Sequence, residues 1–171
     1  MLSTEQLLAQ CLQLAPSWWR NERTHTPLPI WYTAVEAWCV AGDDTLMRQL
    51  PLPPHVLAEA TPFRRQVWQA LATIPWGATL SYGQLAQQLG YNGATYGRAV
   101  GQALRANPHL LYWPCHRVMG SDGQLTGFQG CGDSTASPLT LKQALLAHEA
   151  NTSRPELYDK LSTQSTSSPL P

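Results

Sequence analysis

The feature that most constrains the fold is a pair of short helix patterns separated by a turn that contains glycine. Ser81 is a good N-cap for a first helix, and Gly90 is a good stop for it. After this turn, small and apolar residues at helical spacing predict a second helix over about residues 95–106. Two helices joined in this way are typical of a helix-turn-helix motif. The predicted inward face of the second helix comprises Ala99, Val100, Ala103 and Leu104.

The second helix is poor in large side chains, and two interpretations of that fact stay open. Gly97 and Gly101, with the alanines between them, let its surface approach another backbone closely. Small residues around Arg98 suit a helix laid against nucleic acid, with the arginine reaching into the duplex. The same pattern equally suits tight packing between helices, with Arg98 in solvent.

Charge is distributed unevenly along a chain that has 11 basic and 11 acidic residues. The span from Thr61 to Gly120 contains no acidic residue, and the remainder of the chain is correspondingly acidic. This segregation favours an anionic ligand such as nucleic acid at the middle of the chain, although chance in a sequence of low charge is the alternative. The basic residues of the span are Arg64, Arg65, Arg98, Arg105 and Arg117.

The residues that most strongly suggest chemistry are Cys115 and His116. An apolar run, 110–113, predicts a buried strand that ends at the cysteine. The thiolate is the nucleophilic form of cysteine, and an imidazole can accept the thiol proton near neutral pH. Neighbours on an extended strand point to opposite faces, so His116 can act on Cys115 only through a sharp turn or a bridging water. The alternative is a buried cysteine beside an unrelated histidine.

We predict an α/β (α+β) fold with two parts and a tail. A small N-terminal domain of uncertain fold, residues 1–58, precedes a mainly helical domain, residues 59–150, with the helix-turn-helix and the active-site strand. Residues 30–40 fit either a helix or a buried strand. The tail, residues 151–171, is rich in Ser, Thr and Pro and is predicted to be disordered.

The spacing of the cysteines and the hydropathy of the chain indicate which cofactors and which cellular location to expect. The four cysteines are widely spaced without a Cys-x-x-Cys pair, so no metal or other cofactor is expected. A mixed site of Cys11, His25 and Cys39 is the conceivable exception. We find neither a signal peptide nor an apolar run that could span a bilayer, and expect free thiols in a reducing cytoplasm.

Six short motifs in the middle of the chain, taken in order, closely resemble those of the O6-alkylguanine-DNA alkyltransferases, also called methylated-DNA–protein-cysteine methyltransferases. The resemblance covers about residues 61–150. It implies a monomer without a cofactor that binds double-stranded DNA containing O6-alkylguanine, and it leaves open whether O4-alkylthymine is also a substrate. Members of this family flip the damaged base out of the duplex and move its alkyl group onto their own cysteine, once and irreversibly. The motifs are Thr61-Pro62-Phe63 with Val67-Trp68, Ser81–Ala86, Arg98–Gly101, Asn107-Pro108, Pro114–Val118 and Leu145–Glu149.

The resemblance implies a catalytic role for five residues. Cys115 would be the alkyl acceptor, and His116 would be its base through a water. Glu149 would orient and polarise His116. Asn107 would bridge the helix-turn-helix and the active-site strand, and Tyr82 would support charge on the leaving guanine.

It also implies which residues contact DNA and line the pocket. Arg98 would fill the space left by the flipped base, Tyr82 would contact the 3′ phosphate, and Arg105 would contact another phosphate. Gly97 would let the second helix approach the DNA closely, and Arg117 would be structural. The implied pocket residues are Val118, Phe128 and Gln129.

The chain departs from the family pattern in the loop after the active-site strand. Gln129 is bulkier than the usual Ser or Ala, which puts the range of alkyl groups in doubt. Cys131 stands where a glycine is usual and could be a second thiol near the site.

Three alternative functions remain. The first is a lesion-recognition protein of the alkyltransferase-like type that binds without reacting, against which Cys115 argues. A hydrolase that uses Cys115, His116 and Glu149 as a triad would turn over repeatedly. A transcription regulator that uses the helix-turn-helix alone would show tight sequence preference.

Overall fold

A computed structural model of the chain describes residues 2–125 and 138–152, which form helices around one short parallel sheet. The predicted α+β class is confirmed, and residues 30–40 are helical. The helices of the described residues are α1 (Thr4–Gln13), α2 (Pro29–Glu36), α3 (Thr45–Gln49), α4 (Pro54–Ala58), α5 (Pro62–Leu71), α6 (Tyr82–Gln88), α7 (Gly93–Arg105) and α8 (Pro138–Thr152). The shorter elements are 3₁₀ turns at Ser17–Trp19 and Cys115–Arg117, a π-helical turn at Ala37–Ala41, and the strands β1 (Leu80–Ser81) and β2 (Val118–Met119).

Side-chain caps set where the two helices of the helix-turn-helix begin. The Ser81 hydroxyl accepts from the backbone N–H of Gln84, whose side chain accepts in return from the N–H of Ser81. The Asn92 side chain accepts from the backbone N–H groups of Ala94 and Thr95. Because Asn92 is the cap, α7 begins at residue 93, earlier than the predicted start near residue 95.

Glycines allow the two helices to meet closely. Gly90 ends the first helix with a positive φ of 82°, as predicted for a C-terminal stop. A Cβ atom placed on Gly93 would lie only 2.7 Å from the carbonyl oxygen of Gly83, so a side chain there would force the helices apart. The turn between α6 and α7 is therefore built around backbone contact.

The two-stranded sheet joins the helix-turn-helix to the segment that carries Cys115. Strands β1 and β2 are parallel, with Leu80 opposite Val118 and Ser81 opposite Met119. Because α6 begins directly after β1, this pairing brings Tyr82 to the same region as the residues that follow Cys115.

The predicted strand over residues 110–113 is wrong, because this run forms turns and the strand follows the cysteine instead. Local hydrogen bonds explain the difference. The Asn107 side-chain oxygen accepts from the N–H of His109, and His109 Nδ1 accepts from the N–H of Tyr112. The N–H of Trp113 donates to the carbonyl oxygen of His109. These bonds satisfy the backbone locally, so it needs no partner strand.

The buried residues form one cluster that extends from Leu7 to Leu145, so residues 2–58 and the rest of the described chain share it. Trp31 and Trp38, from the N-terminal part, are fully buried. Trp19 packs edge-on against His109, with 4.5 Å between ring centroids. The boundary near residue 58 stays a prediction.

Helix α8 continues to Thr152, and the predicted tail lies outside the described residues from 153 onward.

His109 makes the core sensitive to acid. It is 1% exposed and packs edge-on against the rings of Trp19 and Trp31, and burial lowers its pKa to about 3. In the unfolded chain its pKa returns to about 6.5, so the unfolded state binds the extra proton. Stability should therefore fall as the pH drops from about 6.5 toward 3, by up to about 1.4 kcal/mol per pH unit.

Urea unfolding at a series of pH values would measure this slope. The matched variant is His109→Asn, since the amide oxygen can still accept from the N–H of Tyr112 but does not titrate. We expect a shallower slope for the variant, with the remainder coming from other groups such as His116. Equal slopes in the two proteins would rule out His109 as the source.

Candidate active site

The backbone turns sharply between Trp113 and Cys115. Pro114 has φ −72° and ψ 69°, the geometry of an inverse γ-turn, and the N–H of Cys115 donates to the carbonyl oxygen of Trp113 over 2.6 Å. A 3₁₀ turn over Cys115–Arg117 follows at once. The extended geometry in which Cys115 and His116 would point to opposite faces is therefore absent at this position.

His116 and Glu149 form a buried hydrogen-bonded pair, although 33 positions separate them in the sequence. His116 Nε2 lies 2.7 Å from Glu149 Oε1, and neither side chain is exposed. Cys115 keeps 5% of its surface exposed, so it is the outermost member of this group. The sequence-predicted cysteine, histidine and carboxylate are thus neighbours at one place in the fold.

Glu149 is held by several donors at once. Arg117 Nε donates to both carboxylate oxygens over 3.0 and 2.9 Å, and its Nη2 donates to Oε1 over 2.8 Å. The backbone N–H of Gly77 donates to Oε2 over 3.1 Å. Burial raises the pKa of Glu149, but His116 and Arg117 overcome this effect and lower it to about 2. The carboxylate is therefore ionised throughout the neutral range.

An ionised Glu149 fixes the tautomer of His116. Nε2 must carry the hydrogen that it donates to the carboxylate, which leaves Nδ1 with a free lone pair in the neutral ring. Nδ1 is buried without a hydrogen-bond partner among the described residues. Burial lowers the pKa of His116, Glu149 raises it, and the charges of Arg117 and Lys142 lower it. The ring is thus neutral and presents a proton-accepting nitrogen.

Lys142 is a buried cation beside this group that sequence reasoning missed. It is 1% exposed, and its ammonium donates to the carbonyl oxygen of Val118 over 2.6 Å. Burial lowers the pKa of Lys142, and the charge of Cys115 raises it. Lys142 precedes Glu149 by two helical turns, so both residues lie on the same face of α8. This spacing is the feature of the sequence that could have identified Lys142 as a neighbour of the site.

Asn107 ties the end of α7 to the turn at Pro114. Its Nδ2 donates to the carbonyl oxygen of Trp113 over 2.7 Å, the same oxygen that accepts from the N–H of Cys115. Asn107 is 8% exposed. The predicted bridge therefore has a geometric basis, although it reaches a turn and not a strand.

Two of the three glycines of α7, Gly97 and Gly101, face Tyr82. A Cβ atom at Gly97 would lie 3.7 Å from Tyr82 Cβ, and one at Gly101 would lie 3.8 Å from Tyr82 Cε1. Both distances are ordinary van der Waals contacts, so α7 packs against Tyr82 at these positions without a steric requirement for glycine. Ala99, predicted to face inward, is exposed because the inward face consists of Val100, Ala103 and Leu104.

Arg98 and Arg105 are both exposed, and Val118 is fully buried directly after the Cys115 turn. Arg117, predicted to be structural, is fully buried. Phe128, Gln129 and Cys131 lie outside the described residues.

The described residues contain no group of three His, Cys, Asp or Glu side chains placed to hold a metal ion, so Cys11, His25 and Cys39 do not form one. Within residues 2–125 and 138–152, every helix is too short or too polar to cross a bilayer.

Comparison with known proteins identifies relatives of the C-terminal part. A family model described as 6-O-methylguanine DNA methyltransferase, DNA binding domain, matches residues 62–151. The methylated-DNA–protein-cysteine methyltransferase of Salmonella typhimurium is 52% identical over 89 residues, which make up 52% of this chain and 47% of the relative. That of Shigella flexneri is 43% identical over 109 residues, or 64% of this chain and 56% of the relative.

Solved structures of such proteins are also similar. The crystal structure of Mycobacterium tuberculosis O6-methylguanine methyltransferase is 40% identical, with a TM-score of 0.48, over 59% of this chain and 56% of that one. The chain spans about half the length of the curated relatives it matches.

Proposed function

We propose that this chain, which belongs to the 6-O-methylguanine DNA methyltransferase family, transfers the alkyl group of O6-alkylguanine in DNA to its own Cys115. The observation that carries the proposal is the buried pair of His116 and Glu149, with His116 next to Cys115 in the chain. The free lone pair of His116 Nδ1 is the group that would take the thiol proton, through a water as the resemblance implies. A nucleophile, a base and an orienting carboxylate are the components that the chemistry needs.

The reaction is a displacement at the alkyl carbon. The thiol proton passes to His116, and the Sγ electron pair then forms a bond to the carbon attached to O6. The bond between this carbon and O6 breaks, and its electron pair leaves with the guanine. The guanine anion takes up one proton, which balances the proton lost by the thiol. The thioether on Cys115 has no leaving group for a second cycle, so each molecule reacts once.

Two cations support negative charge in this site. Lys142 would stabilise the thiolate by its charge, and its bond to the Val118 carbonyl oxygen would keep it beside Cys115. Arg117 would keep Glu149 ionised and in place, so that the carboxylate can stabilise the imidazolium form of His116. The Tyr82 hydroxyl would donate to the guanine ring as its charge develops.

We propose that α7 is the element that binds the duplex. Arg98 and Arg105 are exposed on this helix, which lies in a part of the chain without acidic residues. Packing of Gly97 against Tyr82 would place both residues near the DNA backbone. In this proposal, Arg98 enters the duplex where the damaged base has left it, and Arg105 contacts a phosphate.

Replacing Arg98 with Ala should slow alkyl transfer from duplex DNA, which requires base flipping, and should not slow transfer from a free base. Without the side chain that fills the vacated space, transfer from duplex DNA should slow by at least about tenfold, since flipping costs a few kcal/mol. Transfer from the free base O6-benzylguanine should keep its rate because no duplex is opened. Rates of single-turnover labelling with each substrate would be compared.

The matched control for Arg98 is Arg23→Ala, which removes another exposed arginine, from outside the acid-free span. It should react normally with both substrates. If the Arg98 variant slowed equally with duplex and free base, the proposed role would be wrong.

Intact-mass measurement tests the proposed function itself. Incubation with DNA that contains O6-methylguanine should add one methyl group to each protein molecule, and peptide mapping should find it on Cys115. A folded protein that binds this DNA and gains no mass would instead be a lesion-recognition protein. The same assay with O4-methylthymine and with larger O6-alkyl groups would define the substrate range.

A further inference from the structure

Asp44 belongs to the N-terminal part of the chain, yet its carboxylate reaches the buried group around Glu149. It directly precedes α3, and its Oδ2 accepts from Arg117 Nη2 over 2.9 Å across 73 sequence positions. The same oxygen accepts from Arg48 Nη2 over 2.6 Å. The Asp44 side chain is 16% exposed, whereas that of Arg117 is not exposed. Asp44 is therefore the outer end of a network whose inner end is His116.

Arg117 is shared between two carboxylates. Its Nη2 donates to Asp44 Oδ2 and also to Glu149 Oε1, over 2.9 and 2.8 Å. Glu149 Oε1 is in turn the oxygen that accepts from His116 Nε2. The remaining nitrogen, Nη1, donates to the backbone carbonyl oxygen of Ile74, which anchors the guanidinium plane. Loss of the bond from Arg117 Nη2 to Asp44 would therefore change the bond from the same nitrogen to Glu149 Oε1, the oxygen that accepts from His116.

The charged groups around His116 indicate that Asp44 offsets positive charge when His116 is protonated. When His116 takes up a proton, the imidazolium faces two cations, Arg117 and Lys142, and both oppose its charge. Glu149 is the anion in contact with His116, and Asp44 is the second anion of the described network. Without Asp44, a protonated His116 would leave an excess of positive charge among buried groups, which is costly in a low-dielectric interior.

We propose that Asp44 is a positioning residue for alkyl transfer. It shares Nη2 of Arg117 with Glu149 and balances part of the guanidinium charge, so that more of the negative charge of Glu149 is available to stabilise the imidazolium. This inference rests on the proposed function of Cys115. It also assigns residues 1–58 a part in the chemistry, because Asp44 lies outside the matched region of the family model.

The test is the single-turnover rate of methyl transfer from O6-methylguanine DNA for Asp44→Asn, which keeps the shape of the side chain but removes its charge. We expect a rate about tenfold lower, the effect of one pKa unit at His116, with unchanged affinity for DNA. The thiolate absorbance of Cys115 at neutral pH should fall as well, with Cys115→Ser as the blank. Asp44→Glu, which restores the charge, should recover most of the rate.

Two further variants make the test independent of folding. Asp43→Asn removes the charge of the neighbouring exposed carboxylate, which accepts from the N–H of Thr45 and not from Arg117, and it should react at the wild-type rate. Asp44→Ser provides a second uncharged variant, and all rates are taken at a temperature where circular dichroism shows the protein folded.

The outcomes separate the inference from the proposed function. Wild-type protein that takes up no methyl group would contradict the proposed function. Wild-type transfer, together with uncharged variants that retain the wild-type rate and thiolate absorbance, would overturn the role of Asp44 alone. Equal slowing in Asp44→Glu and Asp44→Asn would also overturn it, since charge would then not be the cause.

Discussion

Replacement of Cys115 by serine should abolish transfer of a labelled methyl group from O6-methylguanine DNA to the protein. The hydroxyl of serine has nearly the volume of the thiol, so the turn at Pro114 and the bond from the N–H of Cys115 to Trp113 should survive. What is lost is the thiolate, because neither His116 nor Lys142 can ionise an aliphatic hydroxyl to a useful extent near neutral pH. Label retained on the protein after denaturation would be the measurement.

The matched control for this variant is Cys39→Ser, which changes another buried cysteine, in the N-terminal part. We expect it to accept one methyl group per molecule. The Cys115→Ser variant should still bind the DNA, as a gel-shift assay would show. Persistent labelling of Cys115→Ser would mean that another residue is the acceptor, with Cys131 the first to examine.

The local signals of this sequence predicted local structure well. The cap at Ser81 and the stop at Gly90 lie where the side chain of the first and the backbone conformation of the second require. Each depends on a hydrogen bond or a φ angle within a few residues, so the sequence alone contains the information. The pattern of small and apolar residues places the start of α7 too late because the cap, Asn92, lies ahead of that pattern.

The apolar run before Cys115 shows where such reasoning fails. Its composition favours a strand, but Asn107 and His109 supply side-chain hydrogen bonds that hold it in turns. Which acceptor a backbone N–H finds depends on the tertiary position of those two side chains, which hydropathy does not report.

The candidate site was predictable in part. The resemblance named Cys115, His116 and Glu149, and the structure brings the last two into contact. Asp44 lies in the part of the chain that carried no motif, and its partner Arg117 is 73 positions away. A salt bridge over such a distance leaves no periodic trace in a single sequence. Lys142 does have a periodic relation to Glu149, because it lies two helical turns earlier on α8. A lysine in such a helix is more often exposed to solvent, however, so this spacing alone does not indicate a buried side chain.

Replacement of Glu149 by glutamine should slow alkyl transfer while leaving DNA binding intact. The amide keeps the shape of the carboxylate but loses the charge that stabilises the imidazolium of His116. Because one pKa unit corresponds to a factor of ten, we expect the rate to fall by at least about tenfold. The variant should also lose about 3–5 kcal/mol of stability, since Arg117 would remain buried with one fewer anion. Single-turnover rates and urea unfolding would measure the two effects.

Loss of stability alone could lower the rate of the Glu149→Gln variant, so a control of similar instability is needed. Leu145→Ala lies one turn earlier on α8, where the leucine is fully buried, and should cost about 2–5 kcal/mol through the cavity it creates. It leaves His116, Glu149 and Arg117 in contact, and at a temperature where both variants are folded it should react at nearly the wild-type rate. If Glu149→Gln reacted as fast as Leu145→Ala, the carboxylate of Glu149 would only stabilise the folded protein. His116 would then act as a base without help from the Glu149 charge.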